Sequence, residues 1–179
     1  MTPAPVAAPV APPIRSTRIL LSTLGGALVI FGVVLYLEIP GSGFPPLWVP
    51  LALGALAVIS HLLSRTVGFR LTPIPAGTLP SDAMPAALAA FQASLILRFT
   101  LSEGVAILAI VLSFVVATWV TYLIGGVLAL ILFAVNVWPS TALIGKVQQE
   151  LDREGGQSYL ADALFGLAPG TAASAVIRT

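Results

Sequence analysis

Between residues 84 and 120 the chain runs for roughly 37 positions in which Gln92, Arg98 and Glu103 are the only long polar side chains, nearly twice the roughly 20 residues that cross a bilayer as a helix. Three further apolar runs lie at 19–37, 47–63 and 122–137. A soluble chain of 179 residues has no interior large enough to bury all four. Its composition agrees: 58% of residues are hydrophobic and 8% charged, where a soluble domain carries about a quarter charged residues. Hydrocarbon offers no hydrogen bonds, so apolar runs of this length close their backbone bonds internally as helices. The expected fold is therefore an all-α membrane protein, a bundle of four transmembrane helices.

The long run has to be divided. The polar positions predict an interfacial or intracellular helix at 82–97, span three at 101–117, a tight external turn at 118–121 carrying Trp119, and span four at 122–137. Span one, 19–37, follows Arg15 and Arg18; at about 1.5 Å per residue it just crosses a hydrocarbon core of about 30 Å. It is longer than a signal-peptide core and lacks a small-x-small cleavage site, so it reads as an uncleaved span. Span two, 47–63, follows a Pro/Gly-rich loop, with Trp48 at interfacial depth and Pro50 tolerated in the first turn. Residues 1–18 open with alternating Pro, Ala and Val and predict a disordered Pro/Ala-rich cytoplasmic tail ahead of the 19–138 membrane domain. Beyond Trp138-Pro139-Ser140, residues 139–179 predict a short polar helix at 141–153, stopped by Gly155-Gly156, an amphipathic helix at 158–167 and a tail.

With four spans, Arg15, Arg18, Arg65, Arg70, Arg98, Lys146, Arg153 and Arg178 all fall on one side. The positive-inside rule makes that side, and with it both termini, cytoplasmic. A five-span reading, with 85–101 as an extra span, leaves almost no turn at Glu103 and sends Lys146 and Arg153 outside. The chain has no cysteine and one histidine, His61, which removes thiol chemistry and multi-histidine metal sites; no cofactor or metal is expected. There is no phosphate-binding glycine loop, no Ser/His/Asp set with a soluble pocket and no polybasic run, so neither catalysis nor nucleic-acid binding is expected.

Small residues at helical spacing mark faces on which helices approach closely: Ser22, Gly25 and Gly32 on span one, Gly54 and Ala57 on span two, Gly125 and Ala129 on span four. The faces of spans two and four lead to His61 and Asn136, and Ala106, Ile110 and Ser113 share a side of span three with Glu103; the three polar groups, His61, Glu103 and Asn136, fall at similar depth and are predicted to form an intramembrane polar cluster in the cytoplasmic third. Two roles are open to it, mutual hydrogen bonding that holds the bundle together, or coupling to a proton or ion. Glu103 has a local reading as well, because Thr100-Leu101-Ser102-Glu103 has the form of a capping box. Arg98, five residues earlier, lies about 140° around the helix from Glu103 and is a poor partner for it.

The stretch RFTLSEGVAILAIVLSFVV followed by Trp138-Pro139-Ser140 resembles small integral membrane proteins of bacteria. That resemblance implies a multi-pass protein of a bacterial inner membrane and supplies no activity. The same stretch looks like the acid-bearing helix of the proton-translocating c subunit of rotary ATP synthases, with Glu103 at the place of its carboxylate. That family's two spans, glycine-repeat inner helix and polar connecting loop have no counterpart here. The expected function is a structural or regulatory accessory subunit, partnered by the lipid bilayer and by other membrane proteins or further copies of itself; the alternative is a small ion- or proton-coupled transporter using Glu103.

Overall fold

The structure is a computed structural model that describes residues 13–171. The expected tail through residue 12, the last residues of the C-terminal tail and Arg178 lie outside the described residues. Among the described residues six α-helices follow one another: α1 (Pro13–Glu38), α2 (Trp48–Thr66), α3 (Pro80–Val115), α4 (Val120–Leu132), which continues as a π-helical turn (Phe133–Val137), α5 (Thr141–Leu151) and α6 (Leu160–Phe165). Among the described residues there is no strand, only an isolated bridge between Pro75 and Gly155. Four helices, α1, α2, α3 and α4 with its π-helical extension, are long and apolar enough to cross a membrane.

Helix α1 takes in Arg15 and Arg18 and buries a single stripe of Ile14, Leu21, Leu28 and Leu35. Its other faces expose Ile19, Leu20, Val29, Ile30, Val33 and Leu37. Contiguous apolar surface of that extent is unfavourable in water and costs nothing in hydrocarbon. Helix α2 buries Val49, Leu53, Ala57, Ser60 and Ser64. The chain just past its C-terminus and the π-helical turn after α4 both reach Arg98 of α3.

No break separates a helix at 82–97 from a span at 101–117. Helix α3 is one continuous element of 36 residues, about 54 Å long at 1.5 Å per residue. Pro80 starts it from an extended Leu79, and Asp82 sits in its first turn against the positive end of the helix dipole. The expected capping box does not form, because a box needs a helix start and none is present. Thr100 and Ser102 instead donate to the carbonyls of Ile96 and Arg98, each at 3.0 Å, the back-bonding that hydroxyls adopt inside a helix.

Two apolar cores are stacked along α3. The N-terminal half of α3, the start of α1, α5 and α6 enclose the first, around Ala83, Ala87, Phe91, Val147, Leu160 and Leu164. The second lies among the four long helices, around Leu53, Val105, Ala109, Tyr122 and Ala129. Where α4 crosses α3, a Cβ placed on Gly125 would collide with the Cβ of Ala109, so the two backbones approach as closely as glycine permits. The far end is tied by the turn at 116–119, where Ala117 has φ +51°. There the Trp119 N–H donates to the Gly41 carbonyl at 3.2 Å, and the Thr118 hydroxyl donates to the Gly43 carbonyl at 2.7 Å. At the opposite end Ser140 caps α5, accepting from the Leu143 N–H at 3.2 Å.

Candidate functional site

Between the two cores, where α2 and α4 both end, the largest fully buried side chain is Arg98, 1% exposed. A helix leaves its last carbonyls without intrahelical donors, and here two helix ends turn such carbonyls toward one guanidinium. Arg98 Nη2 donates to the carbonyl of Gly68, just past α2, at 3.0 Å, and Nη1 donates to the carbonyl of Asn136, in the π-helical turn, at 3.4 Å. The Asn136 carbonyl is free because Pro139 has no N–H and the Ser140 N–H donates to Trp138 at 2.7 Å. The π-helical turn is shown by the Trp138 N–H donating to the Phe133 carbonyl at 3.1 Å, a five-residue step of the kind that recurs at functional sites. One turn before Arg98, the Ser94 hydroxyl donates to the same Gly68 carbonyl at 2.6 Å. The guanidinium carbon lies 3.8 Å from the centre of the Phe69 ring, a cation–π contact.

Gly68 is the residue this seat requires. A Cβ there would lie 2.6 Å from Arg98 Nε and 3.1 Å from its Cγ, and would press on the Ser64 carbonyl. Beside the guanidinium is a cavity of about 110 Å³ lined by Ser64, Arg65, Phe69, Arg98, Val135, Asn136, Ser140, Ala142, Leu143 and Lys146. Three of these are cations and none is an acid. Arg65 and Lys146 are exposed at its mouth, whereas Ser64, Arg98 and Asn136 are buried. Three buried polar atoms have no hydrogen-bond partner and belong to residues on this cavity: Arg98 Nε, Asn136 Nδ2 and Ser64 Oγ. The N-terminus of α5 also lines it through Ser140, Ala142 and Leu143; the Ser140 and Leu143 N–H groups are taken by Trp138 and the Ser140 hydroxyl, which leaves the Ala142 N–H and the positive end of a helix dipole.

Two carbonyls and a helix-end field account for the position of Arg98 as a cap for α2 and α4. They leave the full positive charge without a counter-charge, and three enclosed polar atoms of residues that line the cavity without a partner. Burial of a lone ion costs several kcal/mol in proteins, and an unsatisfied buried donor costs about 1–3 kcal/mol. What the cavity can do chemically is accept an anion.

The three residues expected to cluster are placed differently. Asn136 is buried on the cavity. His61 and Glu103 are half-buried, and among the described residues no hydrogen bond or ion pair joins any two of the three. Each lies one residue, about 100° of helical rotation, from a buried neighbour, Ser60 and Ser102. Of the small residues, Gly25 and Gly32 of α1 lie against the rings of Phe133 and Tyr122, at 3.6 and 3.2 Å from where a Cβ would stand. Ala57, Gly125 and Ala129 are buried, Ser22 is exposed, and Gly54 faces open space. Arg98 was legible as a polar interruption and a marker of the membrane boundary. The signal for its inward role is the stripe Ser94, Arg98, Ser102, a polar residue at each helical turn of one face.

Comparison with family models, with curated proteins and with solved structures finds no match to this chain.

Proposed function

We propose that the chain is a four-span protein of a bacterial inner membrane, with both termini in the cytoplasm, that acts by binding rather than by chemistry. In this reading it is a regulatory or structural accessory subunit, and the Arg98 cavity is its receptor for an anionic group from outside the chain. The N-terminal half of α3, α5 and α6 then lie at the cytoplasmic surface beneath the spans. The observation that carries this is the buried guanidinium, held by two helix-end carbonyls with no carboxylate on the cavity. A charge buried in the protein calls for a partner. Transport coupled through Glu103 gains no support from the geometry, since Glu103 makes no ion pair or hydrogen bond among the described residues and does not line the cavity.

Melting of the detergent-purified full chain across a panel of sodium salts tests the reading. A ligand that binds only the folded state adds about 2.7 kcal/mol at a hundredfold excess over Kd. At least one of phosphate, sulfate, acetate and citrate should raise the melting temperature above that in sodium chloride of equal ionic strength. Equal melting in all of them would remove the anion-receptor reading.

A further inference from the structure

Resting on the reading of the Arg98 cavity as an anion receptor, we infer that its ligand is a phosphoryl group. A carboxylate is planar and presents two oxygens, whereas the donors here come from four elements. Ser64 belongs to α2, Arg98 to α3, Asn136 to the π-helical turn and the Ala142 N–H to the first turn of α5. A tetrahedral group with three or four oxygens can engage donors converging from several sides, and a guanidinium edge fits it in particular. The charges point the same way, since Arg98 lies inside, Arg65 and Lys146 stand at the mouth, and no acid offsets them. A multiply charged anion gains most from three such cations, and helix N-termini are ready sites for phosphate.

Size and depth agree. A cavity of about 110 Å³ has the room of three to four waters, at about 30 Å³ each in the liquid, and suits a group of about five heavy atoms better than a large organic anion. Arg98 lies 17 residues from the Val115 end of α3, about 26 Å along the helix. In a hydrocarbon core of about 30 Å that is close to the level of lipid phosphates, where basic pockets between helices take lipid headgroups. Phosphate in solution and the phosphomonoester of a lipid such as phosphatidic acid present the same chemistry to this site.

The experiment uses the full chain, its Lys146→Glu variant, which changes an exposed side chain at the mouth and leaves the Arg98 seat intact, and a Ser64→Ala variant. In detergent, inorganic phosphate should raise the melting temperature of the parent more than acetate or chloride at equal ionic strength, and Lys146→Glu should weaken its apparent affinity at least tenfold. In nanodiscs of phosphatidylcholine with and without phosphatidic acid, native mass spectrometry reads retained lipid. Retained phosphatidic acid that phosphate displaces identifies the lipid as the source; phosphate stabilisation without lipid retention identifies the soluble ion. Stabilisation by acetate or citrate but not phosphate would overturn the phosphoryl assignment while leaving the anion receptor in place. Phosphate binding that neither Lys146→Glu nor Ser64→Ala alters would place it elsewhere on the molecule and also overturn the proposal.

Discussion

One glycine decides whether Arg98 can sit where it does. Gly68 leaves room for the guanidinium stem only because it has no Cβ. Gly68→Ala forces either the Arg98 side chain or the Ser64 backbone to move, and overpacking of this kind costs about 1–3 kcal/mol. The variant should melt below the parent in detergent and respond less to any anion that stabilises the parent. Melting and anion response equal to the parent's would mean that Arg98 is not seated beneath Gly68. At this scale the sequence was partly legible. Asn136 was marked by its depth and the small residues leading to it, yet its neighbour on the cavity is Arg98 rather than Glu103 or His61. Which stripe of α3 turns inward is set by its packing on α2 and α4. A side chain one position from a buried residue points about 100° away, and the stripe Ser94, Arg98, Ser102 separates Ser102 from Glu103 only once Arg98 is known to turn inward.

Among elements, the close crossing of α3 and α4 and the open side of α2 turn two similar glycines into opposite cases. Gly125 meets Ala109 at the crossing, and Gly54 has nothing within 4 Å of where a Cβ would stand. Within a helix alanine is favoured over glycine by about 1 kcal/mol. Gly54→Ala should therefore leave melting unchanged or raise it, whereas Gly125→Ala should lower it through a loss of about 1–3 kcal/mol, and Gly125→Leu should lower it further. Equal behaviour of the two alanine variants would contradict the crossing. The four long helices were legible because length and apolarity specify them without knowledge of neighbours. The continuity of α3 was not, because polar residues at 98–103 suggest a boundary as long as their partners are unknown. Once Arg98 is satisfied by carbonyls of other helices and the hydroxyls bond back along α3, nothing requires the helix to stop.

For the molecule as a whole, the distribution of cations along the fold predicts an orientation that can be measured. Arg15 and Arg18 lie in the first turns of α1, Arg65 in the last turn of α2, Lys146 on α5 and Arg153 just beyond it. The loops at the other end, 39–47 and 116–119, contain no Lys or Arg. Because cytoplasmic loops collect Lys and Arg, the end that holds α5 and α6 should face the cytoplasm. The chain has no cysteine, so single cysteines report without background. Ser42 is exposed in the first of those loops and Gln149 on α5, and neither has a positive φ. Three crossings, α2, α3 and α4 with its π-helical extension, separate them. In sealed right-side-out vesicles a membrane-impermeant maleimide should label Ser42→Cys directly and Gln149→Cys only after lysis, with the order reversed in inverted vesicles. An extra span between the two positions makes the number of crossings even and puts both on one side. Same-side labelling would therefore remove the four-span arrangement, and opposite-side labelling in the reversed sense would keep the four spans while overturning the orientation read from the charges.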